Sequence, residues 1–390
     1  MLMPFLVPVL ALAIFAQGTS EFMLAGLLLP LSRDLGVEPS TAGLLTSAFA
    51  AGMVVGAPAM VVLAGRWRPR RALILLLVVF IVAHVVGAVA SDFRLLLITR
   101  VLAALANAGF LAIALATVRG IVTPAQTTRA VAVLLAGTTL ATIIGVPAGA
   151  ALANAFGWRS TFWAVVLLCL PAVVALLRDR TLGALPPARR FGVRAELAEL
   201  RRGPVLVAVV LAVLVNAATF GVFTFLAVIG ADAGVEATAI PALLAAFGTG
   251  ALLGVAATGR WAAPVERAWI TVGTVVLTVA WAAFGAGVEL APVVFGGAVL
   301  CGAASFAVGS ALIACIVGQA SRAPMLGGAY ATAALNIGAV GGPVLAGIAY
   351  GRSGAFGVLV VAVLLTAGAV ILTALLRVGR PPTGAADAKD

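Results

Sequence analysis

The chain has 390 residues, of which 63% are hydrophobic and 9% are charged; soluble domains average about 45–50% and about 25%. So little polar surface excludes a water-soluble protein of this size. Long apolar runs recur from end to end, and each helical span needs about 20 residues to cross a bilayer, which leaves room for twelve spans. The composition therefore predicts an all-α polytopic membrane protein without a large aqueous domain.

Charged residues, Pro and Gly divide the apolar sequence into segments of helix length. The first segment contains Glu21 and lacks a basic start, so it is predicted to be an uncleaved helix rather than a signal peptide. The predicted spans are residues 6–30, 40–64, 72–90, 95–117, 130–155, 161–177, 204–230, 238–259, 268–287, 291–317, 327–350 and 355–376.

The formal net charge of +11 comes from basic residues that gather in alternate connections. Of the 24 Lys and Arg residues, nineteen lie in connections on one predicted side and four on the other, and Arg100 lies within a span. This asymmetry is a topology signal, so we expect the lipid bilayer and not nucleic acid as the partner of these charges. By the positive-inside rule it predicts a protein of the cell membrane with both termini in the cytoplasm.

The longest connection carries seven arginines and is interpreted as a solvated tether rather than a regulatory segment. We expect an amino-terminal six-helix bundle at residues 1–177 and a cytoplasmic linker at 178–203. A carboxy-terminal six-helix bundle then covers 204–376, and a cytoplasmic tail covers 377–390.

The two halves of the chain resemble each other. The acidic turn from Asp34 to Glu38 recurs at Asp232, 198 residues later, and a pair of glycines four residues apart follows each turn at the same offset. An even number of spans gives both halves the same orientation, which makes them a parallel repeat. Such repeats place a binding site near the bilayer midplane, between halves that rock around it.

Two charged residues, Glu21 and Arg100, lie well inside predicted spans. Each costs about 2.5–3.5 kcal/mol on insertion scales, so a specific role is expected. One hypothesis makes Glu21 a proton carrier whose proton affinity changes as the halves rock. The alternative is a static ion pair with Arg100, for which a structural and electrostatic role is expected. Thr219 occupies the repeat position of Glu21, so the proton chemistry is predicted in the first half alone.

A sparse set of amide and aromatic side chains shares the spans with these charges. Amides beside aromatic rings suit an amphipathic, largely uncharged small molecule, although interhelical hydrogen bonding is the alternative for each amide. His84 has no polar neighbour at helical spacing, which favours a packing role. One His and three Cys leave no metal-binding spacing. The candidate substrate-binding residues are Gln17, Asn107, Asn216, Phe220, Phe223 and Asn336.

Two segments of the first half carry a more specific pattern. Thr19–Leu28 surrounds Glu21, and Arg100 is followed by Asn107 and Gly109 on the fourth span. Both segments resemble motifs of the twelve-span drug:proton antiporters of the major facilitator superfamily, and the likeness extends over nearly the whole chain. It implies a coupling role for Glu21 and a part in proton transfer for Arg100. It also implies the proton gradient as the energy source, with no cofactor.

The fifth span contains a Gly-Val-Pro-Ala-Gly run with Gly145, Pro147 and Gly149. This run is similar to the antiporter motif of that superfamily, which is associated with export. Residues 15–23 and 44–58 resemble the chloramphenicol-efflux branch, although sugar-efflux permeases share much of the pattern and remain an alternative.

The loop after the second span departs from the family pattern. It keeps Arg66, Arg70 and Arg71 but lacks the usual Asp and second Gly. The charge latch attributed to that Asp is therefore in doubt for this chain.

The predicted function is proton-coupled efflux of a small amphipathic drug, chloramphenicol, by a monomer, with resistance as the result. The alternative is a sugar or other small-metabolite efflux permease. A membrane-embedded enzyme is the remote alternative, because it would need paired carboxylates, a His cluster or a nucleophile beside a base. The sequence also lacks the phosphate-binding loop of an ATP-driven pump.

Overall fold

The structure is a computed structural model, and the residues it describes are 4–64, 67–179, 182, 203–261, 266–320 and 327–378. Within these ranges the regular structure is helical throughout. Ten helices are long and apolar enough to cross a membrane, and a bent pair at the start makes an eleventh span. The last helical range has non-helical backbone at Ser353 and Gly354, where two spans meet. The prediction of an all-α membrane fold with twelve spans is confirmed.

The described helices fall into two halves, before and after the predicted linker. The helices of the first half are α1 (Leu6–Phe22), α2 (Leu24–Leu35), α3 (Pro39–Ala42), α4 (Leu44–Ala64), α5 (Pro69–Val89), α6 (Phe93–Ile121), α7 (Pro124–Leu140), α8 (Val146–Phe156) and α9 (Arg159–Arg178). Those of the second half are α10 (Gly203–Asp232), α11 (Ile240–Trp261), α12 (Glu266–Ala286), α13 (Ala291–Gln319) and α14 (Gly327–Val378). Most of the predicted linker and tail lies outside the described residues.

The first span is broken, where the sequence predicts one continuous helix over 6–30. Helices α1 and α2 meet at Met23 with a bend of 51°. The amide of Met23 still donates to the carbonyl of Thr19 at 2.8 Å, which ends α1. Because no Pro or Gly stands at the break, the sequence carries no local signal for it. The prediction of an unbroken helix is wrong at this point.

The fifth span is widened for a reason visible in the sequence. A π-helical turn, Ala141–Gly145, joins α7 to α8 and is followed closely by Pro147. Proline has no backbone N–H, and its ring clashes with the carbonyl four residues earlier, here that of Ile143. A π turn accommodates both effects without ending the helix.

Close packing through glycine recurs at the same offset in both halves. A Cβ at Gly52 would lie 2.8 Å from the carbonyl oxygen of Val101, so α4 packs tightly on α6. A Cβ at Gly250 would overlap the carbonyl oxygen of Val299, so α11 packs in the same way on α13. Both residues of the second contact are 198 positions after those of the first. The internal repeat of the sequence is therefore a repeat of helix packing.

The described residues form two apolar cores, one in each half of the chain. As far as the structure describes it, the core of the first half contains no residue of the second. The core of the second half also takes in residues of α2, α3 and α8, all towards the end of the bundle that carries Asp34. At this end the amide of Asn154 donates to the carbonyl of Ala237 at 2.6 Å, across the two halves. We call the end with Arg70 and Arg178 the basic end.

Replacing Gly254 with alanine is expected to lower the thermal unfolding midpoint of the purified protein, because a Cβ there would overlap the carbonyl oxygen of Ala303. Forcing extra volume into a packed interface typically costs about 1–3 kcal/mol. Gly309→Ala is the control, since a Cβ at Gly309 meets nothing within 4 Å. Equal midpoints for the two variants would contradict the close packing of α11 on α13.

Candidate functional site

Glu21 lies in the last turn of α1, half-buried, one residue before the helix ends. Its carboxylate accepts a hydrogen bond from the side-chain amide of Asn107 on α6, with 3.3 Å between Nδ2 and Oε2. The same amide nitrogen lies 3.6 Å from the sulfur of Met53 on α4. Asn107, a predicted substrate ligand, thus contacts Glu21 and links it to α4 through Met53.

Arg100 is buried on α6 and bonds the residue that precedes Glu21. Its guanidinium donates to the hydroxyl oxygen of Ser20 at 2.8 Å and to the carbonyl oxygen of Ser20 at 2.6 Å. The guanidinium carbon also lies 4.4 Å from the centre of the Phe49 ring, a cation–π distance. Among the described residues no ion pair joins Arg100 to Glu21. The static ion pair that the sequence left open is therefore not formed in this structure.

The break in α1 explains why Arg100 binds there. The last carbonyls of a helix have no partner within it, and a cation near a helix carboxyl end is favoured by the helix dipole. The carbonyl of Ser20 belongs to this last turn, and in an unbroken helix it would accept from the amide four residues later. Arg100 donates to it instead, so the guanidinium caps α1 inside the bundle.

His84 on α5 extends this contact into a hydrogen-bonded chain. Its Nδ1 lies 2.8 Å from the carbonyl oxygen of Phe80, which only accepts, so Nδ1 carries the proton. Its Nε2, 2.6 Å from the hydroxyl of Ser20, then accepts from that hydroxyl in a neutral ring. Every bond runs in one direction, from Arg100 through Ser20 and His84 to Phe80. Sequence reasoning missed Ser20 and left His84 to packing, because the two residues are 64 positions apart.

The motif of the fifth span lies directly against this end of α1. A Cβ at Gly145 would overlap the hydroxyl oxygen of Thr19. A Cβ at Gly149 would lie 3.7 Å from the Cβ of Met23, at the bend. Pro147 lies between the two glycines and follows the π turn. The predicted antiporter motif therefore shapes the surface on which the broken helix packs.

The second half contributes aromatic rings to the same region. Phe220 on α10 lies 5.8 Å from Phe22 on α1, measured between ring centres. Phe220 is followed by Phe223 at 6.1 Å, and Phe223 by Phe247 on α11 at 4.8 Å. Phe306 on α13 completes the row at 6.2 Å from Phe247. This aromatic row, from Phe22 to Phe306, begins next to Glu21 and crosses from one half to the other.

The two predicted amides of the second half bond backbone carbonyls. Asn216 on α10 donates to the carbonyl of Leu335 on α14 at 2.5 Å. Asn336 donates to the carbonyl of Thr332, one turn earlier on its own helix, at 2.9 Å. Both bonds fit the alternative of hydrogen bonding within the bundle, and the Asn216 bond joins α10 to α14.

Gln17 differs from these amides. It lies one turn before Glu21 on α1, is fully buried, and neither side-chain oxygen nor nitrogen has a hydrogen-bond partner among the described residues. Buried amides nearly always have partners.

At the repeat position of Glu21, the hydroxyl of Thr219 donates to the carbonyl of Val215 at 2.8 Å. The second half thus has no carboxyl at the position equivalent to Glu21.

Of the predicted arginines in the second-span loop, Arg70 and Arg71 lie at the basic end, away from this site. The Nε of Arg70 donates to the carbonyl of Leu176 at 2.9 Å, and its Nη2 donates to that of Leu177, which caps the end of α9. Arg71 is exposed, and Arg66 lies outside the described residues. The contacts of Arg70 stay within the first half, so they do not latch the two halves together.

Comparison with known proteins identifies the family. The sequence model of the Major Facilitator Superfamily matches residues 10–334. The chain belongs to this superfamily. It is 44% identical to the chloramphenicol resistance protein of Streptomyces lividans, over 99% of this chain and all of that protein. It is 33% identical to the inner membrane transport protein YdhP of Escherichia coli K12, over 88% of this chain and 90% of that protein.

A solved structure supports the fold. A bacterial homologue of the human lysosomal transporter Spinster, in an inward-facing and occupied conformation, superposes with a TM-score of 0.78 at 16% identity over 97% of each chain. The protein is therefore a multi-pass membrane transporter of the major facilitator fold, of a family that moves small molecules and needs no cofactor. It is not an enzyme.

Gly145→Ala is expected to lower the thermal unfolding midpoint, because the new methyl group would overlap the hydroxyl of Thr19 and displace the end of α1. Thr19→Ala removes that hydroxyl, so the double variant should recover part of the loss, as residues in contact are not additive. The midpoints of the wild type, both single variants and the double variant test this. Strictly additive losses would contradict the contact.

Proposed function

We propose that this transporter exports chloramphenicol, or a closely related small amphipathic drug, in exchange for protons, and so confers resistance. The observation that carries the proposal is an intramembrane carboxyl, Glu21, on a broken helix, bonded to Asn107 rather than paired with Arg100. The full-length likeness to a chloramphenicol resistance protein supports the choice of drug.

The proton step follows from the surroundings of Glu21. An ionised carboxyl in a span costs free energy, and taking up a proton removes this cost where no cation pairs with the carboxyl. Rocking of the halves changes what faces Glu21, because Phe22 and Phe220 meet across them beside it. A carboxyl whose proton affinity differs between two conformations couples proton movement to their exchange. Protonation of Glu21 then favours drug release and the return of the empty transporter.

The drug is proposed to bind between the halves, beside the aromatic row. Chloramphenicol combines an aromatic ring with hydroxyl and amide groups. Phe220 and Phe223 offer faces for the ring. The amide of Gln17, which has no partner in the part of the chain that the structure describes, offers both a donor and an acceptor. Asn216 and Asn336, with their amides bonded to backbone carbonyls, are expected to hold α10 and α14 in place rather than to bind the drug.

The membrane orientation is part of the proposal. The basic end is placed in the cytoplasm of the cell membrane, with both termini there, because cytoplasmic loops carry the excess of Lys and Arg. The contact between Asn154 and Ala237 then lies at the outer end, where the halves are closed. The drug would enter from the cytoplasmic side. Residues 1–177 and 204–376 are proposed to rock as two bundles of a monomer.

Accumulation of labelled chloramphenicol in cells that express the protein tests the proposal. Wild-type cells are expected to hold several-fold less drug than control cells, and a protonophore should abolish the difference because it collapses the driving force. Glu21→Gln keeps the size and polarity of the side chain but cannot exchange a proton, so it should raise accumulation to the control level. Glu289→Gln is the matched control, since this exposed carboxyl lies in the short α12–α13 connection, and it should export normally.

Unchanged accumulation in every condition, with the protein present in the membrane, would contradict chloramphenicol export. Labelled sugars would then test the alternative permease. Low accumulation that Glu21→Gln leaves unaffected would keep the exporter and contradict proton coupling through Glu21.

A further inference from the structure

Ser20 and His84 are polar, buried and without a role in the transport steps above. Ser20 is 0% exposed and His84 is 1% exposed. Burying a hydroxyl or an imidazole inside an apolar bundle costs free energy unless its hydrogen bonds are made, and both groups are hydrogen-bonded here. Their common contact is the guanidinium of Arg100, reached directly by Ser20 and through Ser20 by His84.

Consecutive residues of α1 are held by separate side chains of α6. Ser20 is bonded to Arg100, and Glu21 is bonded to Asn107, which lies seven residues, or two turns, further along α6. The present partner of Arg100 and the carboxyl of Glu21 thus belong to neighbouring residues of α1. A carboxylate is the stronger acceptor for a guanidinium, so Glu21 competes with the Ser20 hydroxyl if Arg100 shifts towards it.

We infer that Ser20 is a positioning residue that, oriented by His84, holds Arg100 away from Glu21 and so leaves the carboxyl of Glu21 able to take up a proton. The inference rests on the proposed proton coupling for its purpose. The arrangement itself stands on the directed hydrogen bonds from Arg100 to Phe80.

The positioning of Arg100 depends on the orientation of the Ser20 hydroxyl. Because Nδ1 of His84 donates to Phe80, Nε2 of the neutral ring accepts, and it takes the hydroxyl hydrogen of Ser20. The lone pairs of Ser20 then face Arg100. The Phe80 and Phe162 rings, centred 4.1 and 5.6 Å from that of His84, hold the imidazole in this orientation.

Loss of the Ser20 hydroxyl changes the balance between the two partners. Arg100 keeps the Ser20 carbonyl but loses one of its two bonds to this residue, so the guanidinium is freer to pair with Glu21. A cation beside a carboxylate stabilises its ionised form, and protonation then requires a lower pH. Among the residues that the structure describes, the charged or titratable groups that interact here are Arg100 on α6, His84 on α5 and Glu21 itself.

The test is a pH titration of the purified, lipid-reconstituted protein by infrared difference spectroscopy, without any drug. The C=O band of the protonated Glu21 carboxyl is identified by its loss in Glu21→Gln. Ser20→Ala should form this band at a pH lower by about one unit than the wild type. Ser20→Thr keeps a hydroxyl and should restore the wild-type midpoint. Thr19→Ala removes the neighbouring buried hydroxyl, which has no hydrogen-bond partner among the described residues, and should leave the midpoint unchanged.

Two further variants separate positioning from a general packing defect. His84→Phe keeps a ring but removes the acceptor, so it should lower the midpoint in the same direction as Ser20→Ala. In an Arg100→Gln background, Ser20→Ala should have no further effect, because its influence passes through Arg100. A wild-type midpoint in both Ser20→Ala and His84→Phe would overturn the inference, as would an undiminished Ser20→Ala shift without Arg100. Because no drug is present, failure of chloramphenicol export would leave this result unaffected.

Discussion

The bond between the Arg100 guanidinium and the carbonyl of Ser20 joins the features of the site into one arrangement. A guanidinium buried in a bilayer-spanning bundle needs hydrogen-bond acceptors, and the broken end of α1 supplies one that a continuous helix would use itself. The hydroxyl of Ser20 and the ring of Phe49 complete its surroundings. Because Arg100 is occupied in this way, Glu21 has Asn107 as its partner and remains without an ion pair among the described residues.

The packing of the fifth span makes this arrangement possible. Gly145 lets the end of α1 approach so closely that a methyl group would overlap Thr19, and the π turn before Pro147 adjusts the path of the helix at that point. The glycines act through packing rather than through binding. They fix the position of the last turn of α1, and with it the positions of Ser20 and Glu21.

The two halves share a fold but differ in chemistry. The glycine contacts of α4 and α6 recur in α11 and α13, so the scaffold is duplicated. At the position of Glu21 the second half has Thr219, bonded to its own helix, and the aromatic row lies mainly in the second half. Charge on one side and aromatic surface on the other suit a site that handles a proton and an uncharged ligand together.

Much of the fold follows from the sequence, because some of its patterns describe the whole bundle. The length of the apolar runs gives the spans, the charge of the loops gives the topology, and the glycine pattern at a fixed offset gives the repeat. The twelve spans and the parallel repeat were predictable for this reason. Glu21 and Arg100 could also be singled out from the sequence, since charged residues in spans are rare. The break at Met23 was not predictable, because no Pro or Gly marks it in the sequence. Nor was the bond between Ser20 and His84, because helical spacing relates residues of one helix and carries no information on contacts between helices.

Proton coupling through Glu21 requires that this carboxyl exchange a proton as the transporter binds its drug. Proton release from the purified protein on addition of chloramphenicol, in weakly buffered solution, measures this directly. The wild type is expected to release protons in step with drug binding, and Glu21→Gln is expected to bind the drug without releasing them. Equal release from the wild type and Glu21→Gln would show that another group carries the proton, and would contradict proton coupling through Glu21.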